Sequence, residues 1–162
     1  MRPTDLLRTT FAFAVLVVLH YTLRPLLGWR ASPDFLVIAL LLIAIRVRPG
    51  TAAVVGFVVG LLSDSLDPHA FGAGALGMSV VGFAASWLKA VFFADDVALN
   101  AFFFFLGKWA FDTVFLLAAH QNTTGELLVE ILVWSPLKGA VTALFGLLTL
   151  TILRPILRAS PT

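Results

Sequence analysis

The chain has 162 residues, of which 60% are hydrophobic and 12% charged, and its mean hydropathy is +1.00. A water-soluble domain has nowhere to bury so much apolar surface, whereas a lipid bilayer accepts it on every outward face of a helix. The small net charge of +2 offers no basic patch for nucleic acid, and the absence of cysteine excludes disulfides, thiol nucleophiles and cysteine metal sites. We therefore expect one integral membrane domain over residues 1–162, without a separate soluble module.

Long apolar stretches follow one another along the chain and predict membrane-spanning α-helices, because about 20 helical residues cross the hydrocarbon core. The first stretch follows Arg2 and Arg8 but has no small-residue cleavage site behind it, so it is interpreted as a retained span rather than a signal peptide. The predicted helices cover residues of about 6–27, 33–46, 51–66, 71–93, 97–119 and 127–153.

The second and third of these helices are short, and the basic sequence Arg46-Val-Arg48-Pro49-Gly50 lies between them. A single long span would place two arginines and a proline near the middle of the bilayer, at a cost of roughly several kcal/mol. Two short helices joined by a basic turn fit better, and they require either local thinning of the bilayer or shielding by neighbouring helices. The prediction is six spans, with five spans and one re-entrant helix as the alternative.

The basic residues are distributed unequally between the two predicted faces. Six spans put both termini on one side, and most arginines fall there together with Lys89. Arg24 and Arg30 fall on the opposite side, which also collects Asp34 and other acidic residues. Because basic residues accumulate in cytoplasmic loops, both termini are predicted to be cytoplasmic.

Small residues recur at the spacing that lets membrane helices approach closely. Gly56 and Gly60 lie one turn apart on the third helix and favour packing within the chain, with a partner helix as the second option. The segment Gly72-x-Gly74-x-x-Gly77 matches a dinucleotide fingerprint, but it opens an apolar helix and has no strand before it. Helix packing or partner binding is therefore predicted for Gly56, Gly60, Gly72 and Gly74, together with Asp64, which lies one turn after Gly60.

Three charged residues lie deep inside predicted spans, away from the span ends. Lys108 and Asp112 are one turn apart on one face of the fifth helix, and Lys138 lies at a similar depth in the sixth, two residues after Pro136. Because a lone charge inside a bilayer is costly, we expect a cluster of these three with Asp64 or Glu130 as the further counter-charge. The cluster acts either as an interhelical clamp or as a ligand or proton pathway.

The sequence gives little support for a metal site or for catalysis. Asp64, Asp67, His69 and His120 gather on the predicted outer side without the spacing of a metal motif, so no metal and no cofactor is expected. No nucleophile–histidine–carboxylate set is present, which argues against an enzyme. His20, near the end of the first helix, is interpreted as a residue of the membrane interface.

A family resemblance rests on residues 30–90. The basic turn is followed by Gly56-x-x-x-Gly60-Leu-Leu-x-Asp64 and then by Phe71-Gly72-x-Gly74-Ala-Leu, an order that resembles the core signature of the rod-shape-determining protein MreD family. By that resemblance Gly56, Gly60 and Asp64 match the family motif.

The resemblance implies a non-catalytic protein of the bacterial inner membrane that supports peptidoglycan synthesis and rod shape. Its implied direct partner is MreC, a single-span protein with a periplasmic domain. Its indirect partners are the filament protein MreB, the glycosyltransferase RodA and the transpeptidase that accompanies RodA. The implied fold is similar to the substrate-binding subunits of energy-coupling-factor transporters.

Two other functions remain open at this point. The same fold and size would serve a substrate-binding membrane subunit of a vitamin or small-molecule importer, although the first helix lacks a clear stripe of small residues for docking. An intramembrane enzyme or proton-coupled carrier would rest only on Lys108, Asp112 and Lys138.

Overall fold

The computed structural model describes residues 13–22, 32–66, 70–92, 96–120 and 124–158. All regular structure in these segments is helical, which confirms the predicted all-α class. The elements are α1 (Phe13–Thr22), α2 (Phe35–Ala44), α3 (Pro49–Asp64), α4 (Ala73–Phe92), α5 (Val97–Ala119), α6 (Thr124–Val129), a π-helical segment (Glu130–Trp134) and α7 (Ser135–Arg158).

Two helices of the described segments are long and apolar enough to cross a membrane. They are α5, over Val97–Ala119, and the continuous helix formed by α6, the π-helical segment and α7, over Gly125–Ile152. At 1.5 Å per residue, the 23 residues of α5 extend about 34 Å, slightly more than the hydrocarbon core.

Helix α2 lies at the centre of the bundle. Nine of its ten residues are buried, and it packs against α3, α4, α5 and α7. Apolar residues on all sides are typical of a helix that neighbours enclose completely. With a length of about 15 Å, α2 extends through only about half of a bilayer core. Shielding by neighbouring helices is thus how the structure accommodates its short length.

The basic turn between α2 and α3 is fixed to the end of α4. The carbonyl of Val47 accepts hydrogen bonds from Ser86 Oγ at 2.7 Å and from Lys89 Nζ at 2.8 Å. Pro49 begins α3, where its missing N–H is not required by the helix. The turn is therefore held in place by specific hydrogen bonds at one end of the bundle.

Helices α3 and α4 pack with their backbones nearly in contact. A Cβ atom added at Gly56 would lie 2.6 Å from the carbonyl carbon of Met78, and one at Gly60 would lie 2.5 Å from Ala75 Cα. Gly82 of α4 contacts α3 in the same way, since its Cβ would lie 2.6 Å from the Ala52 carbonyl oxygen. Packing within the chain, the first of the two interpretations of Gly56 and Gly60, is what the structure uses.

The faces of α3 and α4 that point away from their mutual contact are apolar and exposed. Their large exposed side chains, which we call the outer face, are Val54, Phe57, Val58, Leu61, Leu62, Leu76, Val80, Phe83 and Trp87. In a membrane protein this face meets lipid or another helix.

The π-helical segment is explained by the proline that follows it. The Ser135 N–H donates to the Glu130 carbonyl, five residues earlier, so the next carbonyl in this register, at Ile131, would need the N–H that Pro136 lacks. The indole Nε1–H of Trp109 in α5 supplies the missing hydrogen bond, at 3.1 Å. A side chain of α5 thus supplies the hydrogen bond that the backbone of the neighbouring helix cannot make.

Candidate functional site

The most concentrated polar group inside the bundle surrounds Lys108. Its Nζ donates to Asp112 Oδ1 at 2.7 Å, one turn further along α5, and to Asp34 Oδ2 at 2.8 Å, at the start of α2. All three side chains are largely buried, with at most 12% of each exposed. Lys108 also lies 4.9 Å from the ring centre of Phe111, which adds a cation–π contact. The predicted pair Lys108–Asp112 is present in the structure.

Asp34 joins this group to three further elements. Its Oδ1 accepts from the Val37 N–H at 3.2 Å and so caps the N-terminus of α2, where a carboxylate is favourable. Its own N–H donates to Thr142 Oγ1 of α7 at 3.2 Å, and Nδ1 of His20 in α1 lies 3.6 Å from its Oδ1. We call Asp34, Lys108, Asp112, His20 and Thr142 the polar core.

The polar core corrects one sequence interpretation. His20 is only 3% exposed and faces Asp34, so it belongs to the interior rather than to the membrane interface. The polar core therefore connects α1, α2, α5 and α7 at one level of the bundle.

The predicted three-residue cluster is only partly formed. Lys138 bonds to Glu130 of the π-helical segment, and not to Asp112. Both side chains of this second pair are about one quarter exposed, whereas the polar core is almost closed to solvent. Of the two predicted counter-charges, Glu130 is therefore the one in use, and it belongs to a separate pair. Glu130 and Lys138 are eight residues apart, about two turns, and Pro136 lies between them.

Asp64, the other predicted counter-charge, has a different role. Its Oδ2 accepts from the N–H groups of Gly72 at 2.9 Å and Ala75 at 3.0 Å, and so caps the N-terminus of α4. Gly72 has a φ of +94°, a conformation that favours glycine. A side chain at Gly74 would collide with the Asp64 carboxylate. Gly72 thus shapes a helix cap, while Gly74 both leaves space for the Asp64 carboxylate and lies in the α3–α4 contact, where its carbonyl carbon is 2.6 Å from a Cβ placed at Gly60.

These contacts give a physical reason for the motif on which the resemblance rests. Gly56 and Gly60 bring α3 against the backbone of α4, and Asp64 then reaches the first turn of α4. Gly72 and Gly74 provide the turn and the space that the carboxylate needs. The ordered glycines and the aspartate close one helical hairpin, which we call the α3–α4 hairpin.

The described residues contain no group of three or more histidine, cysteine, aspartate or glutamate side chains that could hold a metal ion. Asp67 and His69, two of the four outer-side residues considered for a metal, lie outside the described segments. Asp64 is occupied as a helix cap, and His120 is exposed at the end of α5 with a φ of 48°.

Asp34 is the functional residue that sequence reasoning missed. By sequence alone it is assigned only to the acidic residues of the predicted outer side, although Pro33-Asp34 before ten apolar residues is also a helix-start signal. That signal predicts the cap but not the ion pair, because Lys108 is 74 residues away in the chain.

The helical class, the two long apolar helices and the buried ion pairs are typical of a helical membrane protein. A family model described as rod shape-determining protein MreD matches residues 4–120. The chain belongs to this family. The match covers α1 to α5, including the α3–α4 hairpin, Lys108 and Asp112. No curated protein and no solved structure gave a significant match.

Proposed function

We propose that this protein is a non-catalytic, multi-pass scaffold of the bacterial inner membrane that takes part in cell elongation. It binds an MreC-like single-span protein and, through it, supports the peptidoglycan synthesis machinery that includes RodA, its transpeptidase partner and MreB. The family match over residues 4–120 is the observation that carries this proposal.

The proposed topology has six spans and cytoplasmic termini, with a fold similar to the substrate-binding subunits of energy-coupling-factor transporters. The junction of Val47 with Ser86 and Lys89 supports it, because it gathers Arg46, Arg48 and Lys89 near one end of the bundle. The Asp64 cap lies at the other end of α3 and α4. Basic residues at one end are typical of a cytoplasmic face.

We assign partner binding to the outer face of α3 and α4. The glycines Gly56 and Gly60 are occupied inside the hairpin and are not free for another helix. The outer face is apolar and exposed, and it lies within the residues that match the family, whereas α7 lies beyond them. A transmembrane segment of a single-span partner has the apolar surface that this face requires.

The first experiment is affinity purification of the tagged protein from its native membrane, followed by mass spectrometry. A scaffold should recover a single-span periplasmic protein together with wall-synthesis enzymes. Recovery of a pair of ATPases and a second membrane subunit would instead mean a substrate-binding subunit of an importer, and it would overturn the proposal.

The second experiment locates the partner, and it uses the fact that the chain has no cysteine of its own. Val58→Cys and Phe83→Cys place a thiol on the outer face, at positions 49% and 51% exposed. Leu144→Cys, at a 68% exposed position of α7, is the matched control. A thiol-linked photocrosslinker should join the single-span partner to the first two variants and not to the control. Crosslinking from Leu144→Cys alone would contradict the assignment.

A further inference from the structure

Asp112 has one carboxylate oxygen that none of the described residues satisfies. The residue is 8% exposed; its Oδ1 accepts from Lys108, while its Oδ2 is fully buried and has no hydrogen-bond partner in the described segments. An ionised carboxylate in a protein interior normally accepts hydrogen bonds on both oxygens, because it has lost its water shell. The buried Oδ2 therefore needs either a hydrogen-bond donor or a proton of its own together with an acceptor.

The charges around Asp112 do not balance, because the two carboxylates of Asp34 and Asp112 share the single ammonium group of Lys108. Lys108 is its only directly bonded cation among the described residues, and that ammonium group also bonds Asp34. The charge of Lys138 acts on Asp112 from a distance, but its ammonium group bonds Glu130. His20, the remaining titratable group of the polar core, faces Asp34.

A second buried polar atom lies on the facing helix. Ser135 of α7 is completely buried, and its Oγ has no hydrogen-bond partner among the residues that the structure describes. Ser135 is seven residues, about two turns, before Thr142, so both project from the face of α7 that contacts the polar core. Helices α5 and α7 run antiparallel. The step from Thr142 back to Ser135 along α7 therefore has the same direction as the step from Lys108 forward to Asp112 along α5.

We propose that Asp112 is a proton-binding site of this protein, with the proton on Oδ2 and with Ser135 Oγ as its acceptor, directly or through one water. The neutral carboxyl group keeps Oδ1 as an acceptor for Lys108, and its O–H donates to a lone pair of Ser135 Oγ, a hydroxyl that can both accept and donate. An ionised Asp112 that accepts from the Ser135 O–H is the alternative, and it would give no protonated-carboxyl band. Two orphaned atoms are then satisfied by one proton.

The proton also affects the link between α5 and α2. When Asp112 is neutral, the charge of Lys108 is directed mainly to Asp34, which caps α2. Loss of the proton makes Asp112 an anion that competes for the same ammonium group. Occupancy of the site therefore strengthens the contact between α5 and the enclosed helix.

The test is infrared spectroscopy of the full-length protein in lipid bilayers, comparing H₂O with D₂O. A protonated carboxyl group gives a C=O stretch that shifts on deuteration, and we expect this band at neutral pH in the wild type. It should be lost in Asp112→Asn, which imitates the neutral form and is expected to fold. Asp64→Asn is the matched control: Asp64 is equally buried, but two N–H groups satisfy its Oδ2, so the band should remain.

Ser135→Ala tests the acceptor and gives a second route should Asp112→Asn fail to fold. Removal of the hydroxyl should shift the frequency of the band without abolishing it. A wild-type protein without the band, or a band that persists in Asp112→Asn, would overturn the proton site. An unchanged frequency in Ser135→Ala would overturn the assignment of its acceptor.

Discussion

The α3–α4 hairpin and the polar core hold helices together by opposite means. In the hairpin, glycines remove side chains so that two backbones touch, and the one buried carboxylate is satisfied by N–H groups of the adjacent helix start. In the polar core, long charged side chains reach across a gap, and Lys108 connects residues 74 positions apart in the chain. Close contact is local and steric, whereas the ionic contact is long-range and depends on every partner being present.

The difference matters because the two regions should respond to substitution in different ways. Overpacking forces backbones apart by an amount that neighbouring atoms can partly absorb. Removing one partner of a buried ion pair leaves a charge that no relaxation can solvate. The predictions below test this contrast, from the largest expected effect to the smallest.

Lys108→Met should cause the largest loss of stability. It leaves Asp34 and Asp112 buried without their shared cation, and breaking a buried pair in this way costs about 3–5 kcal/mol. Unfolding in detergent, followed by circular dichroism, measures the effect. A loss below about 1 kcal/mol would show that the polar core does not hold α2 and α5 together.

Gly60→Ala should destabilise the protein by about 1–3 kcal/mol, because the added methyl group meets the backbone at Ala75 and not a movable side chain. Gly50→Ala is the control, since a Cβ there has no neighbour within 4 Å. Thermal unfolding of both variants should show a lower Tm for Gly60→Ala only. Equal midpoints would mean that close backbone approach does not limit the hairpin.

Trp109→Phe should have a smaller effect, about 1 kcal/mol, because the Ile131 carbonyl loses its only substitute for the missing Pro136 N–H. Trp87→Phe, on the outer face and 71% exposed, controls for the loss of an indole group. Stability curves for the two variants measure the difference. A larger loss in Trp87→Phe would contradict the role given to the Trp109 hydrogen bond.

The pair Lys138–Glu130 should contribute least, about 0.5–1 kcal/mol, because it is partly exposed. A double-mutant cycle with Lys138→Met and Glu130→Gln measures its coupling energy directly. The matching cycle of Lys138→Met with Asp112→Asn should give a smaller coupling. The reverse order would restore the single three-residue cluster that the sequence predicts.

Local patterns in the sequence are sufficient for part of this architecture. The all-α class follows from the apolar stretches, and the Lys108–Asp112 pair follows from four-residue spacing on a helix. The close approach at Gly56 and Gly60 follows from small residues one turn apart. Each of these features is decided by residues that are near one another in the chain.

The remaining features depend on contacts between distant parts of the chain. One sequence cannot pair Asp34 with Lys108, or Asp34 with Thr142, because hydropathy fixes which segments are helical but not how they are arranged. The π-helical segment was likewise unpredicted. Pro136 indicates a freed carbonyl, but only the neighbouring helix determines that Trp109 satisfies it.

The enclosed position of α2 constrains the order in which the chain can assemble. Its capping residue Asp34 is synthesised early, yet two of its partners come 74 and 108 residues later. Until Lys108 and Thr142 have been synthesised, the carboxylate of Asp34 lacks its ammonium partner, and α2 is too short to span a bilayer by itself. The complete set of contacts around α2 can therefore form only after α7 has been synthesised. A chain that ended after α5 would contain the α3–α4 hairpin but would lack the contacts between α2 and α7.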